Sequence, residues 1–238
     1  MKTYAVALAI LVLGATLFAA CDGGGDGDGN GNGAGIDPAD FQATIDNQLF
    51  PLSKLSPMVY EGEETDPDTG NVIQVRSEIT VLPDTDVVAG VEVTVVEDKA
   101  YENGELVEST LDYYAQHSDG SVYYMGERVD DYEGGEVVGH SGQWLAGEGG
   151  ALPGVFMPPD PQVGDEFEQE KAPGIAEDRT KVLAVDQEVT TPAGTFSGCI
   201  RTEDYDPIGD VTEFKFYCRG IGFVREETGD GVVELISY

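Results

Sequence analysis

Positive charge is what this chain of 238 residues has least of: 12 Lys and Arg stand against 46 Asp and Glu, a formal net charge of −34 at pH 7. The deficit excludes generic affinity for nucleic acid and docking on anionic lipid, because both need a basic face. Histidine is nearly absent as well. Only His117 and His140 occur, neither in a metal-ligand spacing, and both read as exposed strand residues. No G-x-S-x-G elbow is present, and Gly220-Ile-Gly222 is followed by no helix, so neither a serine hydrolase nor a dinucleotide site has its motif. Asp160, Asp165, Glu166 and Glu168 offer paired carboxylates of the glycoside-hydrolase kind, but acids are too common here for their proximity to select them. The expectation is a protein that is not an enzyme. Cysteine is scarce too, at three residues.

Cys21 carries the most information. Lys2 precedes the apolar run 4–20, and Leu17-Phe18-Ala19-Ala20-Cys21 resembles the lipobox of bacterial lipoprotein signal peptides, with Phe18 where Leu, Val or Ile is more usual. The resemblance implies cleavage before Cys21 and acylation of that cysteine. More than one acyl chain, at about 0.8 kcal/mol per buried methylene, anchors stably where one chain does not. The expected address is the bacterial cell envelope, held by lipid to the inner or outer membrane and facing periplasm or exterior. The partner implied is the bilayer, with no nucleic acid. Domain boundaries follow: a signal peptide over 1–20, a lipidated cysteine with a Gly/Asp-rich tether over 21–38, and a single β domain over 39–238.

The tether contains no apolar residue to bury over 22–35 and reads as a flexible spacer. Asp26, Asp28, Asn30, Gly31 and Asp37 do fall at the first, third, fifth, sixth and twelfth places of an EF-hand-like loop, which makes calcium the one cofactor the spacing admits. Against it, Gly33 replaces the apolar anchor, Asp37 stands where Glu is usual, and no amphipathic helix flanks the loop. Without residues 1–20 the chain keeps 46 acids and 11 bases (12 less Lys2), a net of −35. Because the acids are spread along the whole chain, a solvated, salt-adapted surface is the expected reason for them.

Helical periodicity is missing after residue 20. Runs of β-branched and aromatic residues alternate instead with turn signals such as Glu102-Asn-Gly104, Asp119-Gly120 and Glu133-Gly-Gly135. Strands are expected over 57–64, 71–82, 87–101, 106–117, 121–132, 136–145, 165–171, 180–190, 195–205, 211–218, 221–227 and 232–238. Consecutive hairpins of this number make an all-β antiparallel meander, which must curl into a half-barrel or barrel to hide its edges. The Gly- and Pro-rich stretch 146–164 reads as a long loop crossing the sheet, pinned by Trp144, Val155, Phe156 and Met157. Tyr113, Tyr114, Tyr123, Tyr124 and Tyr132 should meet across neighbouring strands. With Trp144, the first four are the candidates for lining a concave pocket.

The two cysteines left after Cys21 would face an oxidising compartment and make an even pair. A hairpin centred between Ile208 and Gly209 sets Cys199 opposite Cys218, within disulfide range. Pro192-Ala-Gly-Thr-Phe196-Ser-Gly-Cys199 and Gly220-Ile-Gly-Phe-Val224 resemble the C-terminal hairpin region of a group of uncharacterised bacterial secreted proteins. Leu111-Asp-Tyr-Tyr-Ala-Gln116, Gly142-Gln-Trp144, Pro153-Gly-Val-Phe-Met-Pro158 and Ala176-Glu-Asp178 extend the resemblance over about residues 109–227. Cys218 departs from the small residue expected there. More distantly the group resembles lipoprotein carriers of the LolA/LolB type, which implies a curved antiparallel sheet and an envelope address, but no activity. Together these readings point to a non-enzymatic binding module for an apolar ligand, lipid or partner protein, with a calcium-dependent surface adhesion or structural protein as the first alternative and a glycoside hydrolase-like enzyme as the second.

Overall fold

Val, Ile, Tyr and Thr alternating with charged residues commit this chain to strands, since β-branched and aromatic side chains fit a pleated, half-buried surface. The structure is a computed structural model that describes residues 35–52, 57–67 and 69–238. The signal segment, Cys21, Asp26, Asp28 and Asn30 lie outside the described residues. Among the described residues a single 3-10 turn, Pro38–Asp40, leads into sixteen strands. They are β1 (Phe41–Gln42), β2 (Met58–Thr65), β3 (Val72–Val88), β4 (Val91–Glu102), β5 (Glu105–His117), β6 (Val122–Glu133), β7 (Glu136–Gly139) and β8 (Trp144–Leu145). There follow β9 (Leu152–Met157), β10 (Glu166–Glu168), β11 (Glu170–Lys171), β12 (Arg179–Thr191), β13 (Gly194–Asp206), β14 (Val211–Cys218), β15 (Gly222–Glu227) and β16 (Gly231–Ser237).

Thirteen of the strands form one antiparallel path, β10-β12-β13-β14-β15-β16-β2-β3-β4-β5-β6-β9-β11, with β1 paired to β5 and β7 and β8 to β6, and the sheet curls into a nearly closed barrel. One seam is not sealed by a strand pair of its own. The segment 166–171 lies there and divides its pairing, β10 with β12 on one side and β11 with β9 on the other. Gly154 sits under this crossing. A Cβ at that position would overlap the carbonyls of Gln169 and Glu168, so the approach requires glycine.

Four expectations are corrected by this topology. The stretch 146–164 is not a loop throughout, because Leu152–Met157 is a strand paired with both β6 and β11. Pro153 is accommodated because β11 opposite it is only two residues long, and Gly154 because the seam needs its small size. The expected strand 136–145 breaks into β7 and β8 around Gly142, whose φ is +76°. The expected strand 165–171 is split at Gln169, where it changes partners. The β3–β4 turn also falls later than read, at Ala89-Gly90, with Leu82-Pro-Asp84 absorbed as a bulge between the Val81 and Thr85 pairs. On β13 and β14, Cys199 lies opposite Cys218 and the two sulfurs are bonded.

The segment 45–52 plugs one end of the barrel with Ile45, Leu49, Phe50 and Leu52, all buried. Gln116 Oε1 accepts from the Asp46 and Asn47 backbone N–H groups at 2.8 and 3.0 Å, and the Asn47 amide donates to the Gly120 and Pro158 carbonyls. The plug is therefore tied by hydrogen bonds as well as by packing. Gly154→Ala tests the seam: it should destabilise by about 2 kcal/mol or more and lower the melting temperature by roughly 5 °C. Gly229→Ala, which meets open space, should leave it unchanged in the same calorimetric scan.

Candidate functional site

Strand alternation puts every second side chain inside the barrel. Toward the plugged end those side chains are apolar and aromatic: Phe50 packs on Phe156 and Tyr114 with centroids at 4.6 and 5.1 Å, and Tyr60 on Phe223 at 5.0 Å. Away from that end the interior turns acidic. Glu64, Asp98, Glu108, Asp112, Glu127, Glu170, Asp178, Asp204, Asp206, Glu213 and Glu226 are all buried, and among the described residues the one buried base is Lys215. The expectation that the acids form a solvated surface is thus corrected for these eleven.

Strand β14 shows how this arises. Glu213, Lys215 and Tyr217 face inward, while Phe214 and Phe216 face outward and are roofed by Arg201, whose guanidinium lies 4.2 Å from the Phe214 centroid. The polar face is inside and the aromatic face outside, the reverse of the usual assignment. Lys215 Nζ is 3.3 Å from Glu213, 3.6 Å from Glu226 and 3.8 Å from Asp204. Burial alone would push the ammonium down, but Glu213, Glu226 and Asp204 push it up, and the net shift is upward.

One lysine leaves most of the carboxyls without a counter-charge. Desolvation is the first cause throughout: Glu64, Glu108 and Asp112 are pushed up to about 7, Asp178 to about 6, and Asp98, Glu127, Glu170 and Glu226 well above the carboxylate range. Some hydrogen bonds resist the shift, as where Tyr124 donates to Asp112 at 2.6 Å and Ser77 to Asp98. The tyrosines form the boundary between the two halves. Tyr114 and Tyr124 stack at 4.9 Å on the apolar side, while the hydroxyls of Tyr114 and Tyr217, beside the carboxyls, find no hydrogen-bond partner among the described residues.

Of the residues proposed for a pocket, Tyr114, Tyr124 and Trp144 come together, with Trp144 edge-on to Tyr124 at 5.5 Å. Tyr113 and Tyr123 do not join them, because neighbours in a strand point to opposite faces: Tyr123 lies outside against Phe41 and His117. His140 stands 3.0 Å from Asp130. Asp160, Asp165, Glu166 and Glu168 are not a pair. Asp160 meets Arg219, Asp165 accepts from the Gln162 N–H, Glu166 meets Lys181 and Glu168 meets Lys171. Asp37 caps the 3-10 turn by accepting from the Ala39 N–H. Among the described residues no group of three or more His, Cys, Asp or Glu is arranged to hold a metal ion. Sequence reasoning missed Lys215 and its cage, although Glu213-Phe-Lys-Phe-Tyr217 holds the lone basic residue of an acidic, aromatic strand.

A separate cleft lies between the plug and the barrel end. It is lined by Phe50, Pro51, Leu52, Met58, Tyr60, Ile79, Ile221, Gly222 and Phe223, with a volume of about 310 Å³ counting its open mouth. The Tyr60 hydroxyl is turned out of use by donating to the Phe223 carbonyl at 3.0 Å, so the lining is apolar.

The acid-lined half sets the pH response. Glu64 and Glu108 have folded values of about 7 against an ordinary 4.5, so the folded state holds more protons than the unfolded one. Their contribution is whole below 4.5 and is lost as pH rises toward 7, so thermal unfolding should shift to lower temperature between those values. Lys215→Met should cost about 3–5 kcal/mol at pH 8 by leaving buried charge uncompensated, and less at pH 5, where the carboxyls take up protons. Denaturant midpoints at the two pH values measure the difference.

No family model matches this sequence, and neither does any curated protein. Among solved structures the chain is similar to a "putative lipoprotein" from Parabacteroides distasonis ATCC 8503, at 12% identity and a TM-score of 0.40 over 82% of this chain and 99% of that one. A likeness at that level carries no argument about what this chain does.

Proposed function

We propose that this chain is a lipid-anchored envelope protein, tethered through Cys21, whose barrel is a non-enzymatic binding module for an apolar group. The observation that carries the binding half is the cleft between plug and barrel, apolar on every side. Its roughly 310 Å³ includes the open mouth, so the cleft is shallow and suits the tip of an acyl chain or an apolar side chain of a partner and not a whole lipid. Two of its walls belong to different parts of the chain, Phe50–Leu52 from the plug and Ile221–Phe223 from the start of β15, so an occupant would tie the plug to the barrel. The anchoring half rests on the lipobox resemblance at Leu17–Cys21.

Each half has its own test. In a host that processes lipoproteins, the wild type should partition into detergent and carry an acylated N-terminal peptide, and Cys21→Ser should do neither. The Cys21→Ser chain, free of its own acyl groups, should bind the fluorescent fatty acid cis-parinaric acid. Ile221→Trp, which fills the cleft from a half-buried wall position, should weaken that binding by about tenfold or more, a loss near 1.4 kcal/mol. Unchanged titration by the variant would assign the apolar probe to another surface.

A further inference from the structure

Three aromatic residues expected to line a pocket take no part in the apolar cleft. Tyr114, Tyr124 and Trp144 meet inside the barrel, the two tyrosines stacked at 4.9 Å and Trp144 edge-on to Tyr124 at 5.5 Å. Three carboxyls border the same rings. Asp112 accepts from the Tyr124 hydroxyl at 2.6 Å, and Glu170 accepts from Trp144 Nε1 at 3.2 Å. Glu127 on β6 lies directly opposite Asp112 on one side and Trp144 on the other. All six residues are buried. Like charges directly opposite one another weaken a strand pair, and burial strengthens their repulsion. Asp112 Oδ2 and Glu170 Oε2 meet no donor among the described residues, and the hydroxyl of the fully buried Tyr114 has no partner there either. Tyr114 follows Asp112 by two on β5, so both side chains leave the same face of the strand. Its ring lies over Tyr124, whose hydroxyl already reaches Asp112, and after burial the charge of Asp112 is what most pushes the Tyr114 hydroxyl up. The unpartnered hydroxyl is thus aimed among the carboxyls.

We propose that these three rings and three carboxyls form a binding site for an organic ammonium ion, the charged end of a primary amine. The chemistry is complementary twice over. An ammonium carries only donors, which the unpartnered oxygens lack, and a cation is drawn to the faces of Tyr and Trp rings. A metal ion suits the group less, since among the described residues no three His, Cys, Asp or Glu are arranged to ligate one. The barrel already holds one ammonium in this manner. Lys215 Nζ stands 3.3 Å from Glu213, 3.6 Å from Glu226 and 3.8 Å from Asp204, carboxyls of three adjacent strands. That lysine is engaged on the β13–β15 side, and no buried base among the described residues answers the β5–β6 side. Glu170 joins the group from β11, which pairs with β9 over only two residues, so an amine would enter from the seam.

Trp144 is the single tryptophan of the chain, so its emission reports on the site. The probe is n-butylammonium, with n-butanol as the neutral isostere whose tail could enter the apolar cleft. The full chain is titrated at pH 8 and constant ionic strength. Expected are a saturable change in emission and a rise in melting temperature with n-butylammonium, and neither with n-butanol or sodium chloride. Tyr114→Phe removes a hydroxyl without a partner among the described residues, so it should melt as the wild type does yet bind the amine about tenfold more weakly. Glu127→Gln keeps the shape and removes a charge; it should weaken binding by about tenfold as well, and serves if the first variant does not fold. A response to the amine no larger than that to sodium chloride overturns the proposal, as does an equal response to n-butanol. Affinity unchanged in a folded Tyr114→Phe or Glu127→Gln chain would put the amine on the acidic surface and overturn it too. So would calcium chloride that saturates the same response at lower concentration than the amine, which would make the group a metal site.

Discussion

A closed antiparallel barrel has one inside, and strand alternation commits every second residue of every strand to it. In this chain that commitment draws eleven carboxyls and one lysine into the interior. Burying an isolated carboxylate costs far more than a domain of this size can supply, so the group neutralises or finds a partner. Both solutions appear. Around Lys215 three carboxylates share one ammonium, and elsewhere burial pushes the carboxyls above their ordinary range, because desolvation outweighs the hydrogen bonds offered by Ser77, Thr110 and Tyr124. The rest of the architecture is arranged around that charge.

The interior is consequently divided. Tyrosines suit the dividing layer because one end of each ring is apolar and the other wet. Tyr60 and Tyr114 lay their rings against Phe223 and Phe156 on the apolar side, and Tyr124 presents its hydroxyl to Asp112 on the acidic side. The plug formed by 45–52 completes the apolar half, while the acidic half extends to strand ends carrying Glu64, Glu102 and Asp66. The cleft belongs to the first half, and Glu170 and Asp178, buried at the seam, belong to the second. A single barrel thus presents two chemically unlike regions, one apolar and one acidic.

The hairpins were legible because Asn-Gly, Asp-Gly and Gly-Gly leave few other conformations. Asn103 and Gly104 adopt φ values of +50° and +85°, as a tight hairpin demands. Ala89-Gly90 was illegible for the same reason inverted: Pro83-Asp-Thr-Asp86 is the stronger local turn signal, and cross-strand pairing overrode it by turning the proline into a bulge. Strand β9 was hidden because Pro and Gly weigh against a strand locally, whereas the seam requires a residue without Cβ at 154. The tyrosine group was half right. Its members do lie on neighbouring strands, but adjacency in sequence separates Tyr113 from Tyr114, and Tyr123 from Tyr124, across the sheet.

What the sequence determined by itself is the class of fold, the positions of most turns and the excess of acid, since these depend on residue type and short-range spacing. Which face of each strand turns inward was decided only by the tertiary structure. In Val211–Cys218 both faces hold plausible core residues, Phe214 and Phe216 on one and Tyr217 on the other, and local preference cannot choose between them. The choice falls to the closed sheet as a whole. Lys215 can be buried only where Asp204 and Glu226, from neighbouring strands, and Glu213 from its own arrive on the same side of the barrel wall.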